Sequence, residues 1–122
     1  MFKHPFSFIG RIRRLEYALS LLICWTLVVC CLSWMENIRH VIISEVIFKL
    51  LLIISCILGF VFLWFFVAQS VKRLHDTDHS GLFAFCYLIG GFNFFLILYL
   101  IFKDGDIYEN EYGPDPKRRL EL

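Results

Sequence analysis

Charge is missing from three long stretches of this chain: Tyr17 to Met35, Leu50 to Val71 and Leu82 to Phe102 contain no Asp, Glu, Lys or Arg. Each reaches the ~20 residues that a helix needs to cross a ~30 Å hydrocarbon core. That absence excludes an ordinary water-soluble globule. The hydrophobic fraction is 59% with 14 Phe, above the roughly 45–50% of a soluble domain, and such a surface would aggregate in water. Net charge is nearly absent as well, at +1. No bulk field points to nucleic acid or an acidic polymer, and no nucleic-acid partner is expected. The five cysteines at 24, 30, 31, 56 and 86 include no Cys-x-x-Cys pair and no partner His at metal spacing. Neither a zinc site nor a redox couple is supported, and the thiols read as small polarizable packing groups. No metal or other cofactor is expected.

The apolar stretches define the class. The second holds fifteen Leu, Ile, Val or Phe residues; at mid-membrane these favour insertion by roughly 5–9 kcal/mol before polar corrections. Ser55, Gln69 and Ser70 reduce that figure without reversing it. At 122 residues the chain has room for one compact unit, read as a single membrane domain over 1–122. The first apolar run exceeds a ~7–15-residue signal core and lacks a small-x-small cleavage site, so it is expected to be retained.

The expected fold is all-α: a bundle of three transmembrane helices at about 17–35, 50–71 and 82–102, with short polar connectors at 36–49 and 72–81. A segment rich in aromatics and bases (Phe2, Lys3, Phe6, Phe8) lies in the interface before the first span. A polar tail, 103–122, follows the last, and its Gly113-Pro114 and Asp115-Pro116 pairs force turns. Ser55 with Gly59, and Cys86 with Gly90, have the spacing of helix-packing pairs. Gly90-Gly91 followed by Asn93 interrupts the third run. A chain turning back there would bring the tail beside the other two polar motifs, but a run of this length spans without help, so three crossings are expected. Lys and Arg then divide six against six between the two sides. Discounting Lys117, Arg118 and Arg119, far from the last span, favours a cytoplasmic N-terminus.

Three polar motifs sit at the membrane boundary. The first, Gly10-Arg11-Ile12-Arg13-Arg14-Leu15-Glu16-Tyr17, combines guanidinium forks suited to phosphate with an interfacial Tyr; Arg13 and Glu16 are i, i+3 partners if helical. The second is Lys72-Arg73-Leu74-His75-Asp76-Thr77-Asp78-His79-Ser80-Gly81. His75 and His79 at i, i+4 beside carboxylates could hold a metal or move protons, but no third strong ligand stands at fixed spacing. An Arg73–Asp76 pair with Asp78 or Ser80 capping the next helix is the expected outcome. The third, Asn110-Glu111-Tyr112-Gly113-Pro114-Asp115-Pro116, specifies tight turns and a structured tail.

At these motifs the chain resembles small bacterial inner-membrane proteins of the YhaH type, the domain-of-unknown-function 805 family. The opening Gly-Arg-x-Arg-Arg-x-Glu-Tyr, the Arg-Leu-His-Asp-x-x-x-Ser-Gly loop and the closing Asn-x-Tyr-Gly-Pro-Asp-Pro carry the likeness, from about Gly10 to Pro116. The resemblance marks Gly10, Arg11, Arg13, Arg14, Glu16, Tyr17, Arg73, Leu74, His75, Asp76, Ser80, Gly81, Asn110, Tyr112, Gly113, Pro114, Asp115 and Pro116 as signature positions. Two departures stand out: Leu82-Phe83 replaces the Trp usual after Ser-Gly, and Asp104-Gly105-Asp106 replaces a Gly-Thr-x-Gly stretch. The resemblance implies a multi-pass inner-membrane helical bundle and no established reaction.

These readings point to a non-catalytic membrane protein. Arg11, Arg13 and Arg14 with Lys72 and Arg73 would form a basic collar for anionic lipid or a membrane partner, another copy of the chain included. His75, Asp76 and Glu16 would order that collar. An oligomeric route for small solutes or ions is the alternative, weakened because no ionisable residue lies inside the runs. A metal-dependent enzyme acting on lipid headgroups through His75, Asp76 and His79 stands behind both.

Overall fold

The computed structural model describes residues 4–41 and 44–117; the expectations placed on Phe2, Lys3, Arg118 and Arg119 lie outside the described residues. The chain is all-helical among those residues. Its elements are α1 (Arg14–Val41), α2 (Glu45–Asp76), a 3-10 helix (Gly81–Leu88) and α3 (Phe92–Phe102). The expected connector at 36–49 is largely helical, because α1 runs through it to Val41 and α2 resumes at Glu45. At 1.5 Å per residue the two long helices measure about 42 and 48 Å, so both overrun a ~30 Å core. The uncharged stretch of α2 is 50–71, and its last turn from Lys72 lies beyond that stretch. No residue of the most apolar stretch of α2 is buried, as suits a helix facing lipid.

The third uncharged run corrects the sequence expectation: it is not one spanning helix. It divides into the 3-10 helix and the 11-residue α3, separated at Ile89–Gly91. Eleven residues rise only about 16 Å, half of what a crossing requires. Gly91 has φ +83, a left-handed conformation that costs other residues a Cβ clash. The two glycines thus break the helix that the run's length and hydrophobicity would otherwise favour.

Both ends of this run meet the same part of α2. A Cβ at Gly81 would fall 2.8 Å from Val71 Cγ1 and 3.1 Å from His75 Nε2, while one at Gly105 would land on the Asp76 carboxylate. The chain therefore leaves the end of α2, turns at Gly90-Gly91 and comes back. The core sits at this end, formed by Ile12, Tyr17, Leu21, Leu74, Leu96 and Leu100, with Phe66, Tyr87 and Ile97 packed against it. Leu96 and Leu100 are an i, i+4 pair on the inner face of α3, whereas Phe94, Phe95 and Phe102 point outward. Cys86 packs against this core, whereas Gly59 and Gly90 border open space and make no close approach to a neighbouring backbone.

The residues before α1 strap along α2. Trp64 Nε1 donates to the Phe6 carbonyl at 3.1 Å, and Gln69 Nε2 to that of Pro5. Phe6 and Phe8 meet Phe65 and Trp64 edge to face. The segment thus packs on the last turns of the uncharged stretch of α2.

Candidate functional site

Where the three motifs meet, two guanidiniums grip one carboxylate. Arg11 Nε donates to Asp76 Oδ1 at 3.0 Å, and Arg73 Nη1 donates to Asp76 Oδ2. The Arg73 and Asp76 side chains come from successive turns of α2, i and i+3, so the helix aligns them. Arg11 arrives from the other end of the sequence. All three side chains are at most 2% exposed.

The remaining donors of both arginines go to backbone carbonyls of the returning chain. Arg11 reaches the carbonyls of Tyr108 at 2.8 Å and Gly113 at 3.1 Å through Nη1, and that of Asp106 through Nη2. Arg73 donates through Nε to the Leu100 carbonyl at 2.8 Å and through Nη2 to that of Lys103. Those two carbonyls are orphans of the α3 C-terminus, where a cation is also favoured by the helix dipole. The tail reciprocates at the end of α2: the Asp106 N–H donates to the Asp76 carbonyl at 2.9 Å, and Asn110 Nδ2 to that of His75 at 2.8 Å. The result is a closed polar cap in which the buried charged groups are hydrogen-bonded.

The surrounding side chains fix its geometry. Tyr112 lies flat on His75, with ring centroids 3.8 Å apart and 3° between planes. Asn110 and Gly113 exchange backbone hydrogen bonds across a tight turn, and Gly113 supplies φ +124. Asp115 accepts from the Lys117 N–H at 2.9 Å, an Asx turn that makes the expected structured tail. Pro114 is exposed between them. Ser80 caps the 3-10 helix by accepting from the Leu82 N–H. Beneath the cap, Tyr17 and Tyr87 share a hydrogen bond of 2.9 Å, and Tyr87 donates on to Ser70.

Burial is the main influence on Asp76, Lys72 and His75, all past the uncharged stretch. It pushes the Asp76 carboxyl up, and Arg73 and then Arg11 pull it back toward the charged form. It pushes the Lys72 ammonium down, with Glu16 opposing. It lowers His75 as well, against a hydrogen bond with the Gly10 backbone.

The expected basic collar is corrected by this geometry. Arg11, Lys72 and Arg73 are buried, with Lys72 Nζ donating to the His4 carbonyl. The side chains of these three are taken up by contacts within the chain. Arg13 and Arg14 are exposed, and Arg13 Nε reaches the Pro116 carbonyl at 2.8 Å in place of the expected Glu16. His75, Asp76 and His79 do not converge either. His75 stacks on Tyr112, Asp76 is held by two arginines, and the His79 Nδ1 meets Thr77 at 2.6 Å. Sequence reasoning missed Gly105, whose lack of a Cβ admits Asp76, and the carbonyls of Leu100 and Lys103. The one available signal was that Gly105 falls inside a stretch where the resembled family is glycine-rich.

This cap defines a helical membrane protein whose three polar motifs are parts of one structure. The match to known proteins agrees: residues 5–114 fit the model of the family described as "Protein of unknown function (DUF805)", and the chain belongs to that family. It is 34% identical over 117 residues to the Escherichia coli K12 "Inner membrane protein YhaH", covering 94% of this chain and 91% of that one. It is 27% identical over 122 residues to "Inner membrane protein YhaI" of the same strain, covering 94% and 90%. No solved structure matches. With its two long apolar helices, the chain is an inner-membrane protein of an uncharacterised family.

Proposed function

We propose that this is a non-catalytic inner-membrane protein whose cap stands on the cytoplasmic face and holds anionic headgroups through Arg13, Arg14 and Lys103. The observation that carries the reading is the division of labour among the bases. Arg11, Lys72 and Arg73 are consumed in building the cap, while Arg13, Arg14 and Lys103 remain exposed at its boundary. On this reading α1 and α2 cross as a hairpin, and the third run enters to about half depth and returns. Eight residues of 3-10 helix rise about 16 Å, the same as α3, so the two arms match. Of the nine Lys and Arg among the described residues, seven then lie at the cap end, and only Arg39 and Lys49 at the other. That asymmetry is the positive-inside pattern.

An exposed base near an anionic surface contributes ~1 kcal/mol, so Arg13→Ala with Arg14→Ala should weaken retention of anionic lipid about 30-fold. Native mass measurement of lipid carried by the purified chain provides the readout, with zwitterionic lipid as control. Equal retention of anionic lipid by the folded double variant would overturn the proposal.

A further inference from the structure

We propose that His75 is a pH-sensitive latch for the tail: taking up a proton on its buried Nδ1 opens the cap and releases residues 103–117 from α2. This inference rests on the cap geometry and stands whether or not the cap binds lipid.

His75 is the side chain at which all three motifs touch. Its ring lies flat on Tyr112 of the tail, approaches Gly81 at the start of the 3-10 helix, and bonds the Gly10 backbone. Its Nδ1 is buried and has no hydrogen-bond partner. A neutral imidazole tolerates this, because one nitrogen donates and the other needs only to keep its lone pair. The imidazolium has two N–H donors and a charge, and a buried donor without an acceptor costs its full desolvation.

No neighbouring element supplies a counter-charge. From the N-terminal segment, Gly10 offers backbone and Arg11 is turned onto Asp76. The 3-10 helix presents Gly81, which carries nothing titratable. From the tail, Tyr112 offers a ring face, Asn110 bonds the His75 carbonyl, and Glu111 is exposed. On α2 itself Asp76 is held by Arg11 and Arg73, and Lys72 by the His4 carbonyl. Just beyond, Asp78 is exposed and His79 is turned to Thr77. Among the described residues no carboxylate pairs with His75: the nearest in sequence, Asp76, is already taken by two guanidiniums, and the buried Asp115 turns to the Lys117 N–H.

The direction of the effect follows. Burial lowers His75 in the closed cap, so the closed state favours the neutral ring and the open state binds the proton better. The stabilisation is present above the ordinary His value of ~6.5 and is lost as pH falls below it toward the lowered closed-state value.

The test uses the full chain in lipid nanodiscs, with Thr77→Cys as a reporter that is 4% exposed when the cap is closed. Glu109→Cys is the exposed reference, and a charged maleimide is the probe. The labelling ratio of the two positions cancels the intrinsic pH dependence of thiol reactivity, and the chain without either substitution corrects for native cysteines. Opening scales at most tenfold per pH unit for one proton, so the ratio should rise about tenfold between pH 7.5 and 5.5 with His75 present. It should stay level when His75→Phe keeps the stacking and removes the titration; His75→Gln serves as a second non-titrating variant. A ratio that does not rise with His75 present, or rises equally in both variants, would overturn the latch.

Discussion

Gly105 meets the side chain of Asp76 with no space for a Cβ between them. The approach lets the Asp106 N–H reach the Asp76 carbonyl and brings the Asp106 carbonyl under Arg11. Adding one methyl group here must displace either the tail or a carboxylate bound by two arginines. Gly105→Ala should therefore destabilise the cap by about 3 kcal/mol, toward the upper end for overpacking. Thermal unfolding in detergent, compared with Gly59→Ala in open space, measures it. Equal melting temperatures for the two variants would contradict the contact.

The carboxylate itself makes the second prediction. Asp76→Ala leaves Arg11 and Arg73 buried without their anion, and breaking such a pair on one side costs about 3–5 kcal/mol. Arg11→Ala in the same background should add far less than it costs alone, since its partner is already gone. Residues of one network are coupled by 0.5–3 kcal/mol, so a double-mutant cycle on the folding equilibrium should show clear non-additivity. Strict additivity would mean that Arg11 acts mainly through the tail carbonyls.

The parts legible in the sequence are those set by local pattern. Absence of charge located the two long helices, i, i+3 spacing paired Arg73 with Asp76, and Ser80 before an apolar run marked a cap. Asn110 with Gly113 and the prolines marked a folded tail. What stayed hidden depends on contacts across distance. Arg11 lies 65 residues from Asp76, and nothing in its neighbours distinguishes it from Arg13. Carbonyl acceptors such as Leu100 and Lys103 leave no trace in a sequence, because every residue has one. The third run misled for a sharper reason: its hydrophobicity suffices for crossing, whereas its shape is set by Gly90-Gly91 and by the tail's attachment to α2.

Beneath the cap, Tyr87 links the others by donating to Ser70 while accepting from Tyr17. Tyr87→Phe removes both bonds at once, whereas Tyr17→Phe leaves the Tyr87–Ser70 bond intact. At about 1 kcal/mol per net hydrogen bond, the first change should cost about 2 kcal/mol and the second about 1. Unfolding of the purified variants tests the order, and a larger loss for Tyr17→Phe would reverse the assignment of Tyr87 as the hub.

The returning third run makes the most decisive prediction, because three straight crossings and a re-entrant arm place the C-terminus on opposite sides. Arg11 binds carbonyls at Asp106, Tyr108 and Gly113, and so ties the start of the chain to its tail without an intervening bilayer. If those bonds form in the membrane, both termini share a side, and the excess of Lys and Arg there makes it the cytoplasm. Reporters that are active only in the cytoplasm should therefore score at both ends of the chain. Replacing Gly90 and Gly91 with Leu supports a continuous α-helix by propensity and should move a fraction of C-termini outward if the glycine break sets the turn. A C-terminal reporter active only in the periplasm of the unaltered chain, with the N-terminus inside, would show that the cap does not form in the bilayer.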